Sequence, residues 1–219
     1  MSAKSTFPSI TAQLIAVTVF CFLLDRAGLV NGFAFTFIPE QFFQIRENYF
    51  WLPAFLYVLP SMFTHTLAHA GWGHLIGNML FFLAMGPILE RVLGARRFLL
   101  VYVAGALLSA LAVLVFLSPL GPEGEAVVYL GASAAVSSVM GGVLAVAPQS
   151  IIGFLPVVNF YIKAWMVVLF FYFEQVTVLT SLPLDAGPSG SALVHLVGLF
   201  IGYVVTRFSG DKHGKESQE

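Results

Sequence analysis

From Asn48 to Leu89 the chain carries no Asp, Glu, Lys or Arg, and the same holds from Ser5 to Leu24, Phe98 to Leu117 and Ala126 to Ile162. A helix that crosses a bilayer needs roughly 20 mostly apolar residues, because each residue rises about 1.5 Å and the hydrocarbon layer is about 30 Å thick. Uncharged runs of this length leave too little polar surface to face water. Of the 219 residues, 58% are hydrophobic and 10% charged, against about 45–50% and about 25% in soluble domains. A soluble enzyme and a disordered tail protein are excluded. The net charge of -1 offers no field for a phosphate backbone, which excludes a nucleic-acid binder. The single Cys21 excludes a disulfide framework and a thiolate metal cluster. A polytopic membrane protein remains.

The runs resolve into six expected spans. The first, about 7–24, ends at Asp25-Arg26 and is too long and too weakly Ala-x-Ala-like for a cleaved signal peptide, so it is expected to stay as an anchor. Pro53, Pro60, Gly71 and Gly73 break the first half of the longest run, leaving a span over 73–89 closed by Glu90-Arg91. The third, 98–117, ends at Ser118-Pro119 and the Gly121-Pro122 turn. The fourth, 133–147, is short, made of small residues and stopped by Pro148. The fifth, 160–179, carries Lys163 and Glu174, and the sixth, 189–206, follows the Pro183/Pro188 loop. Between the first two, 27–70 is aromatic, lightly charged and broken by proline, which reads as an interfacial loop with short in-plane helices. The expectation is an all-α membrane protein, a single six-helix domain over 1–207 with a short polar cytoplasmic tail, 208–219.

Orientation follows from the cations. With the N-terminus in the cytoplasm, Lys4, Arg91, Arg96, Arg97, Lys163, Arg207, Lys212 and Lys215 fall inside and only Arg26 and Arg46 outside. Both termini are then cytoplasmic, and the second, fourth and sixth helices all run inward.

That shared direction brings polar residues to one end. His74 and Asn78, four apart, open the second span on one face. Ser133 opens the fourth, and His195 lies about 10 Å below the start of the sixth by helical rise. Ser133, Ser137 and Gly141 repeat at intervals of four, and His195, Gly198 and Gly202 share a face, so two smooth surfaces can meet at matching depth. A serine hydroxyl beside an imidazole is the minimum for nucleophilic acyl transfer. No Asp or Glu is near enough in sequence to serve as a third member, which leaves a dyad. His74, Asn78 and the backbone N–H of Ser133 can then donate to an oxyanion, helped by the helix N-terminus.

HAGWGHLIGN (His69, His74, Asn78), GASA (Gly131 to Ala134) and HLVGLFIG (His195, Gly198, Gly202) together resemble the signature set of the rhomboid intramembrane serine proteases. The likeness extends to the aromatic first loop and to Glu90-Arg91 with Gly94, and so over nearly the whole chain. It implies cleavage of peptide bonds in or near the transmembrane segments of membrane-protein substrates, with Ser133 as nucleophile and His195 as base. His74 and Asn78 carry over as oxyanion donors and His69 as a structural residue near the loop. The substrates would be transmembrane helices within a lipid bilayer, with neither metal nor organic cofactor. The expected location is the plasma (inner) membrane, with the site open to the non-cytoplasmic side. Ala134 stands where many rhomboids have Gly, and Ser137 where many have an aromatic that stacks on the catalytic imidazole. The Trp-Arg pair common in the first loop is not evident, though Trp51 is present.

Other readings stay in view. Ser133 alone could be a helix cap, and His74 and Asn78 could bind the loop to its helix. His65 and His213 are expected to be solvated or interfacial, and Glu174 near the outer boundary has no assigned role. A rhomboid-like protein that binds transmembrane helices without cutting them is the alternative function. A haem or transport protein using His74 and His195 is a third, without an inverted repeat to support transport.

Overall fold

The computed structural model describes residues 9–117, 128–154, 160–183 and 187–210. The expected Ser118-Pro119 and Gly121-Pro122 turn, His213 and the cations Lys4, Lys212 and Lys215 lie outside the described residues. The first helix, α1 (Ile10–Arg26), is started by two devices. The Ser9 hydroxyl accepts from the Ala12 N–H at 3.2 Å. The Glu90 carboxylate accepts from the Ile10 N–H at 2.7 Å, the Thr11 N–H at 2.9 Å and the Thr11 hydroxyl at 2.7 Å. The first N–H groups of a helix have no partner within it, and an anion there also meets the positive end of the helix dipole. Glu90 belongs to α5 (Trp72–Leu93), so this cap ties two helices together. At Gly86, also in α5, a Cβ would lie 2.5 Å from the Thr11 side chain, which lets the pair close up.

The segment between them holds a 3-10 turn at Gly32–Phe35, then α2 (Pro39–Asn48), α3 (Trp51–Val58), α4 (Ser61–Thr64) and a second 3-10 turn at His65–Leu67. Tyr49, Phe50, Trp51 and Tyr57 are exposed, whereas Phe37 is fully buried. Phe37 and Tyr129 exchange two backbone hydrogen bonds of 2.9 Å, which ties this segment to the approach to α7 (Ser133–Val146).

α5 runs through Glu90-Arg91 rather than ending there, because the stop is Gly94, whose φ of +75 favours glycine and whose N–H bonds back to the Glu90 carbonyl at 2.8 Å. α6 (Ala95–Ala112) follows, and its last turns, Val113–Leu117, widen into a π-helix. After α7 comes a feature missing from the sequence reading. Ile151–Phe154 (β1) and Phe160–Lys163 (β2) pair antiparallel, Ile151 opposite Lys163. The expected fifth span over 160–179 therefore begins as strand, and its helix, α8, is Ala164–Ser181. The last helix is α9 (Pro188–Gly210).

Among the described residues, four helical stretches are long and apolar enough to cross a membrane: Trp72–Leu93, Ala95–Phe116, Ala164–Ser181 and Pro188–Ser209. α1 has 17 residues and α7 has 14, short of that length. The shortness of α7 has a physical reason. Every residue from Ala134 to Val143 is buried, so the helix is solvated by its neighbours α5, α6, α8 and α9 and need not match a bilayer. Around it Leu80, Leu83, Leu100, Phe170, Phe173 and Phe200 point outward and exposed, an apolar exterior suited to lipid.

Small residues set the contacts of α7. A Cβ at Gly141 would overlap the Leu199 carbonyl oxygen, one at Gly202 the Ser138 carbonyl oxygen, and one at Gly198 would sit 2.5 Å from the Ala134 oxygen. The backbones of α7 and α9 thus touch along their length, as close packing in lipid requires. Towards α6, Gly105 abuts Ser138, whose hydroxyl donates to the Val101 carbonyl at 2.9 Å.

Candidate active site

Ser133 is the first residue of α7, and the chain reaches it through Gly131 and Ala132. Gly131 has φ +113, outside the reach of ordinary side chains, and a Cβ there would lie 2.6 Å from Cε1 and Nε2 of His74. The glycine thus serves both the turn and the close approach of the imidazole. Its N–H donates to the His65 carbonyl at 2.9 Å. The Ala132 N–H donates to Nε2 of His69 at 3.4 Å, and the His69 and His74 rings are 5.0 Å apart. His69 therefore sits behind His74, in contact with the turn that presents Ser133.

His65 and His69 are both buried. For His65, expected to be solvated or interfacial, this is a correction: the loop folds inward against the approach to α7. Burial pushes its imidazole down to about 4. Burial, aided by the neighbouring His74 and His65, does the same to His69.

His74, Asn78, Ser133, Ser137 and His195 all line one cavity of about 250 Å³. Asn78 spends one amide hydrogen on the His74 carbonyl, one turn back at 2.9 Å, and its second is left for the cavity. The N-terminus of α7 faces the same space, with no side-chain cap on its first turn. Among the described residues no hydrogen bond joins Ser133 to His195. Such bonds are often long before substrate binds.

Two residues of this site escaped the sequence reading, and both come from α8. The ring of Phe171 lies 5.7 Å from that of His195, at 43°. It supplies the aromatic neighbour missing at Ser137, which is only 1% exposed and wedged beside Gly198, where no ring fits. Gln175 places its Oε1 2.7 Å from His195 Nδ1. The only sequence signal for it was an amide in an otherwise apolar stretch. Gly198 and Gly202 act in packing, away from the cavity lining. Among the described residues, no three His, Cys, Asp or Glu gather as a metal site would need.

A bundle of apolar helices that gathers serine, asparagine and histidine side chains in one largely apolar cavity is that of an integral membrane protein. The chain matches the family model of the Rhomboid domain over residues 58–211, and it belongs to the rhomboid family. That range takes in the cavity and leaves α1 and most of the aromatic loop outside it. No curated protein matches the chain.

Proposed function

We propose that this protein is an intramembrane serine endopeptidase that cleaves peptide bonds in or near the transmembrane segments of membrane-protein substrates. The observation that carries this reading is the single cavity shared by Ser133, His195, His74 and Asn78 at the uncapped start of α7. In the proposed reaction His195 Nε2 takes the Ser133 Oγ proton as Oγ bonds to the scissile carbonyl carbon. The oxyanion is held by the N–H of Ser133, the second amide hydrogen of Asn78 and the His74 ring, next to the partial positive charge of the helix end. The imidazolium then gives its proton to the leaving amine, the C–N bond breaks, and an acyl-serine remains. Water attacks this ester with His195 again as base, releasing the acid and restoring Ser133.

In this reading α1 and α7 join the four longer helices as spans, both termini are cytoplasmic, and the cavity opens to the outer aqueous side, from which the hydrolytic water comes. The excess of Lys and Arg on one set of connections supports that orientation. The second reading, a rhomboid protein that holds transmembrane helices without cutting them, draws on the absence of a Ser133–His195 hydrogen bond among the described residues.

A fluorophosphonate probe separates the two, because it reacts with an activated serine whatever the substrate. The purified protein should be labelled, and Ser133→Ala and His195→Ala should each lose labelling while keeping the helical circular dichroism of the parent. A folded parent that stays unlabelled would establish the binding protein instead.

A further inference from the structure

His195 is held by a neighbouring helix. Its Nδ1 lies 2.7 Å from Gln175 Oε1, and Gln175 Nε2 donates to the Glu174 carboxylate. A carboxylate only accepts, so the amide has one orientation that satisfies both ends: Nε2 towards Glu174 and Oε1 towards the imidazole. An amide oxygen also only accepts, so the ring hydrogen must sit on Nδ1. That leaves the lone pair on Nε2, the tautomer a general base needs when it faces a hydroxyl. Gln175 is buried at 6% exposure, where an unpartnered amide would be costly. Phe171, four residues earlier and so on the same face of α8, rests against the same ring.

We propose that Gln175 is the positioning residue of His195, and that Glu174 extends this hold into a His195–Gln175–Glu174 chain. A neutral amide stands in it between imidazole and carboxylate. The assignment rests on the protease reading for its catalytic meaning. When the imidazolium forms, Gln175 Oε1 accepts from its Nδ1–H, and Glu174 polarises the amide in the favourable sense. The exposed carboxylate thus acts on a half-buried ring without being buried itself.

The test uses two variants of equal length, Gln175→Met, which removes the acceptor, and Gln175→Glu, which keeps it. Nitrogen-15 NMR of the histidine-labelled protein, with His195 assigned by its loss in His195→Ala, should show Nδ1 protonated in the parent and in Gln175→Glu. In Gln175→Met that preference should disappear. Labelling by the fluorophosphonate should slow about 10-fold or more in Gln175→Met and by clearly less in Gln175→Glu, which keeps the acceptor for the ring but loses the donor to Glu174. A parent with Nε2 protonated, or a Gln175→Met protein with unchanged tautomer and rate, would overturn the assignment. If Gln175→Met does not fold, the parent and Gln175→Glu spectra still decide it. A parent that is never labelled refutes the protease reading alone, since the nitrogen shifts report on Gln175 regardless.

Discussion

Gly131 shows how much a single position can carry. Its φ of +113 and the 2.6 Å between a would-be Cβ and the His74 ring impose two separate penalties on any replacement. Gly131→Ala should therefore displace His74 and the start of α7 together. The expected result is a loss of fluorophosphonate labelling with the helices intact; unchanged labelling would mean that the turn can relax without moving the site. Asn78 offers a milder test. With one amide hydrogen already on the His74 carbonyl, only the second is left for an oxyanion. Asn78→Ala should reduce turnover about 10-fold or more, with a smaller effect on KM, measured on a cleavable transmembrane substrate. Turnover at the parent rate would assign Asn78 to the helix start alone. Ser137 makes the complementary point: where α7 and α9 touch there is no space for a ring, and the aromatic contact to His195 moves to Phe171 of α8.

Among the elements, the α7–α9 contact and the α1–α5 link are held by opposite means. α7 and α9 meet through glycines whose missing side chains let carbonyl oxygens lie where a Cβ would be. Gly202→Val should force the helices apart and lower the melting temperature in detergent, with Ser133 and His195 separated as a consequence. α1 and α5 are joined by one carboxylate with three short hydrogen bonds. Hydrogen bonds to a charged group are worth roughly 1.5–3 kcal/mol each when the partner is lost. Glu90→Ala should thus destabilise α1 by about 2 kcal/mol or more, seen as protease sensitivity near Ile10 before the rest of the bundle opens. An α1 as protected as in the parent would mean that contacts such as Thr11 against Gly86 suffice. The Glu90-Arg91 pair read as the end of a helix from sequence; its use as a cap for another helix needs the chain to return across the bundle.

For the whole molecule, acid should be the weak side. His65 and His69 are buried and neutral, with pKa values of about 4 in the folded state against about 6.5 unfolded. Between those values the unfolded chain binds protons that the folded one refuses, so stability is complete above about pH 6.5 and is lost as pH falls towards 4. The loss is on the order of 3 kcal/mol for each histidine. Melting temperatures across that range should fall steeply in the parent and less steeply in His65→Asn, provided that variant folds. A flat profile would place both rings in contact with water.

The sequence by itself determined that this chain enters a membrane, where most of its helices run, and which polar residues stand at helix starts. Charge is costly in hydrocarbon and helical rise is constant, so uncharged runs and residue offsets can be read without a partner. His74 and Asn78 one turn apart, Ser133 at the head of a short helix, and the spaced small residues of α7 and α9 were all of this kind. The strand pairing of Ile151–Phe154 with Phe160–Lys163, the inward fold of His65, the cap by Glu90 and the hold of Gln175 and Phe171 on His195 were decided by tertiary structure. Each joins residues far apart along the chain or on different helices. Local spacing fixes which face of a helix a residue occupies, but which neighbour meets that face depends on how all the helices fill the same space at once.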